Sequence, residues 1–404
     1  MALRVRTVRN TDEFAAALGG IGHYFGWTPT EEEAERFTAY LPLERMHAVF
    51  DDGRIVAGAG VYPFDLTIPG GVVPCGGVTA VGVHPTHRRR GLLRKMMTAQ
   101  LEDMRARGEP IGALWASEDT IYGRYGYGQA SHRLDLRAPV SAAELRADLP
   151  GREGVVRFVD LDEALRVFPR IYERSRRRTT GFISRSAEWW ESRILGDRPE
   201  LRFGAGPLNR VLFELDGKPA AYALYRIVQN MTEWKRTLRV LEAIGDDGVP
   251  MREIWRFLVN VDWMDELHVR LLSIDHPLWH FVARPRLLSL TVNDGLWVRI
   301  VDVQAALAAR SYAADGRVTL EVVADPYFRE NVGVWTIAGG RVRRSSRRPD
   351  VRLDIAALGA VFMGGFSFEE LARGERLEEA ARGGLARADA LFRTPRAPWS
   401  PEIF

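Results

Sequence analysis

The stretch Val81-Gly82-Val83-His84-Pro85-Thr86-His87-Arg88-Arg89-Arg90-Gly91-Leu92-Leu93 decides how the rest of this chain is read. A short apolar run ends before Pro85, three arginines and a glycine follow, and a helical pattern begins at Leu92. Leu93, Met97, Leu101 and Met104 recur at helical spacing and Arg107-Gly108 supplies a basic stop, so the spacing predicts a helix over 92–107. Strand, basic glycine-bearing loop and helix N-terminus, in that order, make a place for a phosphate-bearing ligand. Unpaired N–H groups and the helix dipole face the anion, and glycine lets the chain approach it closely. On spacing alone, an ordinary basic surface turn carries the same signature.

Composition narrows the ligand. Lys95, Lys218 and Lys235 are the only lysines among 56 basic side chains, so the arginine richness belongs to the whole chain and marks no particular surface. Net charge is only +3, acids interleave with the arginines, and no basic run alternates with aromatics as a nucleic-acid groove requires. This balance suits a small anionic ligand and argues against DNA or RNA. The single cysteine, Cys75, excludes an intrachain disulfide and fits a reducing compartment. Within Pro74-Cys75-Gly76-Gly77 it reads as an inert turn residue. Residues 1–9 are basic and strand-like, without the apolar core of a secretory leader, and no segment approaches the ~20 apolar residues of a membrane span. The expectation is a cytoplasmic protein without a metal, since no ligand spacing surrounds His84 and His87.

A length of 404 residues accommodates two or three domains. The first 150 residues alternate helices over 11–17 and 31–40 with strands over 54–64, 77–83 and 111–116, the pattern of a mixed α/β domain. Residues 65–69 and the Gly70-Gly71 turn are read as a hairpin between the first two strands. A polar, helix-breaking stretch over 147–154 marks a boundary. Beyond it, the segment 217–226 echoes 53–62, each a glycine turn feeding a strand of small residues, which suggests a duplicated fold. The second copy lacks the basic loop, with Asp246 and Asp247 where arginines would be needed. A third region opens near 294–300, with strands over 317–324, 332–337, 340–344 and 351–355 and helices over 356–363, 368–371 and 385–392. The domains are thus read as 1–150, 151–290 and 291–404.

The strand followed by Arg88-x-x-Gly91 is similar to the acetyl-CoA loop of the GNAT acyltransferase superfamily, Gln/Arg-x-x-Gly-x-Gly/Ala, with Leu93 departing at the last position. Tyr122-x-x-x-Gly126-Tyr127 is similar to that superfamily's downstream Tyr-x-x-x-Gly-Phe. Joined to Ala116-Ser117-Glu118, to Asp294-Gly295-Leu296-Trp297-Val298-Arg299-Ile300 and to an aromatic last residue, Phe404, these motifs resemble the enhanced intracellular survival (Eis) acetyltransferases over essentially the whole chain. The resemblance implies an α/β (α+β) fold: tandem GNAT-like domains, the second degenerate, and a C-terminal sterol-carrier-protein-like α+β domain. It implies a homohexamer that acetylates primary amines of aminoglycosides, peptides or lysine side chains.

Residue roles follow from the same resemblance. Arg89, Arg90, Gly91, Leu92, Leu93 and Arg94 would hold the pyrophosphate of acetyl-CoA; Val81, Gly82 and Val83 would pair with its pantetheine and polarise the thioester carbonyl. Ser117 and Glu118 would line the donor, although as bare residues they make a helix cap. Tyr122 would be the general acid, with Tyr125 and Tyr127 as rivals on the residues alone. The α-carboxylate of Phe404 would be the base, on a tail restrained by Pro398 and Pro401, and Glu402 would add charge to draw in a cation. Phe25 and Phe37, with Tyr24, Trp27 and the acids at 31–33 and 35, read as the mouth of an acceptor pocket or as the solvated face of an amphipathic helix. Two other functions fit the same chain: a binder of apolar ligands with an idle GNAT loop, and a scaffold that only senses the cofactor.

Overall fold

The computed structural model describes residues 3–404; residues 1 and 2, the start of the strand-like stretch 1–9, lie outside it. The chain forms two compact units. The first runs through Ser131 and resumes with Gly295–Pro398 and Ile403–Phe404; the second comprises His132–Asp294 and Trp399–Glu402.

The first unit opens with β1 (Arg4–Thr7), α1 (Thr11–Gly22), α2 (Glu31–Thr38), β2 (Met46–Asp51), β3 (Arg54–Ile68), β4 (Gly71–Val83), α3 (Leu92–Ala106), β5 (Ile111–Trp115), α4 (Asp119–Tyr122) and β6 (Gly128–Gln129). Asn10 caps α1 by accepting the Glu13 N–H, and Phe14, Ala17 and Leu18 turn inward from that start. The helix lies directly on the sheet because Gly82 carries no side chain: a Cβ there would stand 2.3 Å from Ile21 N. Strands β3 and β4 form one long antiparallel hairpin, paired from Ile68↔Gly71 to Ala57↔Val83.

Two expectations are corrected here. The strands read as 54–64 and 77–83 extend to meet at the turn, so Cys75 lies inside β4 opposite Phe64, buried, and not in a turn. Pro74, Gly76 and Gly77 imitate a turn composition, but Gly76 leaves space that Met104 fills, a Cβ there meeting its side chain at 2.7 Å. The inert reading of the thiol is supported, since burial pushes its pKa up.

The second unit contains β7 (His132–Pro139), β8 (Val155–Phe158), α5 (Leu161–Arg176), α6 (Ala187–Trp189), β9 (Asn209–Leu215), β10 (Lys218–Asn230), β11 (Lys235–Gly245), α7 (Val249–Val259), β12 (Glu266–Leu272), α8 (Leu278–Phe281) and β13 (Ser289–Asp294). Its sheet runs β13-β7-β12-β11-β10-β9-β8. The echo in the sequence is a structural repeat. Asp52-Gly53 and Asp216-Gly217 are both left-handed turns entering long central strands, β3 and β10. In each sheet the next strand then pairs in parallel with the one after its following helix, β4 with β5 and β11 with β12.

The chain then returns to the first sheet with β14 (Leu296–Ile300), which pairs with β5 and β6 to give the order β1-β2-β3-β4-β5-β14-β6. Sequence patterning had placed this strand at the head of the third region. That region contains α9 (Val303–Ala309), β15 (Arg317–Val322), β16 (Gly333–Ala338), β17 (Arg341–Arg344), β18 (Val351–Leu353), α10 (Ile355–Phe362), α11 (Phe368–Arg373), β19 (Leu377–Glu379) and α12 (Gly384–Phe392). Its five strands order as β17-β16-β15-β18-β19, and α10, capped by Asp354, is buried along its whole length. Among the described residues no helix is long and apolar enough to cross a membrane.

Candidate active site

Strand β4 pairs with β5 only between residues 75–78 and 111–114. Past Val78 the two strands part. Ala80 takes a positive φ of 51° at a bulge against β3, and β4 bends away. Among the described residues, 79–83, including Val81, Gly82 and Val83, therefore have no strand partner on the side toward β5, which leaves backbone groups able to pair with an extended ligand. Tyr24 closes the end of this edge by donating its hydroxyl to the Val83 carbonyl at 2.8 Å.

The loop after β4 leads to α3. Residues 85–87 make one short turn, Arg89 sits at φ 59°, and Gly91 occupies the helix N-cap at φ 76°. Glycine adopts that left-handed conformation without strain. No side chain caps α3, so the N–H groups of Leu92, Leu93 and Arg94 lack intrahelical acceptors. Leu92 itself is buried in the core, and Met96, Met97, Leu101 and Met104 continue that face. Arg89 and Arg94 are exposed and make no ion pair among the described residues, whereas Arg90 reaches Asp51 at 3.4 Å. The result is an open, basic helix start beside an open strand edge.

Beyond β5, Ser117 and Glu118 are exposed. Glu118 precedes α4, yet its carboxylate accepts from the Thr120 hydroxyl at 2.7 Å and caps no helix N–H. The three tyrosines separate by environment. Tyr127 is wholly buried, and burial raises its pKa beyond any useful range. Tyr125 packs against Tyr327, its ring centroid 6.2 Å away, and its pKa is also raised by burial. Tyr122 ends α4, and burial, with a smaller contribution from Tyr125, pushes its phenol up to about 12.

Phe404 is 8% exposed in the first unit. Its ring meets Phe64 edge-on at 5.0 Å and Tyr62 at 6.4 Å, over Gly77, where a Cβ would stand 3.2 Å from it. From there a run of rings continues through Tyr62, Tyr40, Phe37 and Trp27, with neighbouring centroids about 5–6 Å apart. Phe37 thus joins the surroundings of Phe404, whereas Phe25 stands apart, 70% exposed. Tyr40, Tyr62 and Phe64 were missed in the sequence. Their signal was the alternation of Tyr62 and Phe64 on one strand face and the three-residue spacing of Phe37 and Tyr40. Of the acids, Glu33 is committed to Thr30 in a capping box and to the Trp27 indole, and Glu32 pairs with Arg36.

Glu402 is placed otherwise than expected. It belongs to the second unit, buried, where Arg185 Nε donates to it at 2.9 Å and Trp189 Nε1 at 2.6 Å. A carboxylate so engaged is not a free charge for a cation in solution.

Residues 4–130 and 181–300 each match a family profile described as an acetyltransferase (GNAT) domain, and residues 303–401 match one described as a sterol carrier protein domain. An uncharacterized N-acetyltransferase of Streptomyces avermitilis is 35% identical, over 97% of this chain and 96% of its own. The N-acetyltransferase Eis of Mycobacterium tuberculosis is 33% identical, over 89% and 90%. The crystal structure of Eis1 from Mycobacterium abscessus aligns with a TM-score of 0.87 at 31% identity, covering 99% of this chain and 100% of that one.

Proposed function

Because the chain belongs to the Eis family of GNAT N-acetyltransferases, we propose that it transfers acetyl from acetyl-CoA to a primary amine of a cationic acceptor: an aminoglycoside, a polyamine-like molecule or a lysine side chain. That it is an acetyltransferase with two GNAT domains and a sterol carrier protein domain follows from family membership. The donor and acceptor are our reading.

One observation carries it: the uncapped start of α3 behind Gly91 adjoins the unpaired edge of β4, and among the described residues Arg89 and Arg94 make no ion pair. Acetyl-CoA brings a thioester whose transfer leaves a thiolate. The helix start and arginines bind the pyrophosphate, and residues 81–83 receive the pantetheine and polarise the carbonyl. Ser117 and Glu118, exposed just past β5, would line the donor. Tyr122, protonated at neutral pH as any phenol is and kept so to higher pH by burial, supplies the proton. An ammonium with a pKa near ~10 has no lone pair, so the acceptor gives up its proton to the α-carboxylate of Phe404, directly or through water. The run of rings from Trp27 to Phe404 would give the cation an aromatic lining. We keep three domains, N-terminal, middle and C-terminal, with β7 belonging to the middle one, a homohexamer as the assembly and the cytoplasm, where the lone thiol Cys75 is at home, as the compartment.

The test is coenzyme A release with an aminoglycoside, spermidine and a lysine-containing peptide. Turnover with at least one is expected. If acetyl-CoA binds and none of the three is acetylated, the amine-acceptor reading is wrong and the cofactor-sensing reading takes its place.

A further inference from the structure

In the second unit, β11 and β12 pair only over residues 237–240 and 266–269, so this sheet also opens beyond its parallel pair. The chain's own tail fills the opening. Trp399 donates its indole N–H to the Leu271 carbonyl at 2.5 Å and its backbone N–H to Thr180 at 2.8 Å. Its ring meets Phe182 edge-on at 5.2 Å. Gly181 adopts φ 100° beneath it, where a Cβ would lie 2.6 Å from the Trp399 carbonyl oxygen.

Glu402 completes the attachment. Arg185, its side chain fully buried, gives Nε to Glu402 and its two terminal nitrogens to Glu242 at 3.0 and 2.5 Å. The guanidinium stacks on Tyr172 at 3.9 Å and Trp190 at 4.7 Å, and the Tyr222 hydroxyl donates to Glu242. A buried cation with two carboxylates, an indole and two ring faces is a rigid socket.

We infer that the opening of the second, donor-free GNAT domain has become the socket for the C-terminal tail, and that Arg185, Trp189 and Trp399 are positioning residues for the carboxylate of Phe404. This rests on reading that carboxylate as the base. A chain end ordinarily frays. Here only Ile403 separates the socketed Glu402 from Phe404, so the terminal carboxylate keeps the freedom of two residues and is held at a high effective concentration for proton transfer.

Glu402→Ala tests this most cleanly, because Arg185 keeps Glu242 as partner and the second unit retains its buried pair. We expect kcat to fall at least about tenfold with the KM for acetyl-CoA unchanged. Carboxypeptidase should also release Phe404 faster than from the unaltered protein. Glu402→Gln, whose single amide oxygen replaces only one of the two carboxylate oxygens that accept from Arg185 and Trp189, should recover both only in part. A chain ending at Ile403 reports on the base separately. If that chain is inactive while Glu402→Ala keeps full kcat or its resistance to carboxypeptidase, the positioning role is overturned. A rise in acceptor KM alone would overturn it too, in favour of simple charge attraction. Full activity without Phe404 refutes the base itself, and the positioning role with it.

Discussion

Tyr122 shows what a motif decides and what it leaves open. The spacing Tyr-x-x-x-Gly singled it out, while Tyr125 and Tyr127 stand beside it; all three are buried with pKa values raised by burial, so the choice of Tyr122 rests on the motif. Tyr122→Phe should lower kcat about a hundredfold and leave the affinity for acetyl-CoA nearly unchanged. The raised pKa adds a second expectation. A general acid works in its protonated form, which this phenol keeps below about 12 and loses above it. The kcat profile should therefore stay level from about pH 8 to about pH 10, where an ordinary phenol would already be half ionised. A decline centred near 10 that Tyr122→Phe removes would contradict the buried acid. Glu402 was misread for the opposite reason: its partner Arg185 lies 217 residues earlier, beyond any local pattern.

At the scale of elements, α3 was the most legible part of the chain. Its apolar spacing, basic last turn and following glycine agree, and the helix runs Leu92–Ala106 against an expected 92–107. The β3–β4 hairpin was the least legible, because glycines that make room for Met104 and for the Phe64 and Phe404 rings look like turn formers. The open start of α3 yields a binding prediction. Arg89→Ala and Arg94→Ala should each weaken coenzyme A about tenfold, and the loss should shrink at high salt, as expected for exposed charge pairs. Gly91→Ala meets no atom within 4 Å, so its cost is that of forcing an L-residue to φ 76°, about 1 kcal/mol, felt as a distorted loop and weaker binding. Calorimetric titration with coenzyme A at two salt concentrations checks all three; equal affinity for the arginine variants would place the pyrophosphate elsewhere.

For the whole molecule, the duplication was legible in two glycine turns and two runs of small residues, because such turns constrain the chain locally. The return of β14 to the first sheet was not legible: its pairing with β5 spans some 180 residues, and an apolar strand pattern names no partner. Stability also belongs to this scale, and each unit holds a buried histidine that the chemistry does not use. His47 on β2 and His276 before α8 are both pushed down to about 4 by burial, and His276 Nδ1 accepts the Leu278 N–H, an arrangement that requires the neutral ring. The unfolded chain takes up a proton on each ring below about pH 6.5, whereas the folded rings resist until about pH 4. Both contributions are therefore complete above pH 6.5 and are lost as pH falls toward 4, roughly 3 kcal/mol per ring. Glu13, held down to about 2 chiefly by its hydrogen bond from Arg6, is shifted in the same direction and also loses its contribution as pH falls, but only below its ordinary value of 4.5, so it leaves most of this window to the histidines. Urea unfolding between pH 7 and pH 4.5 should show a steady fall in midpoint, reduced in part by His47→Gln. A midpoint that stays flat across that range would mean the two rings are not held neutral in the folded protein.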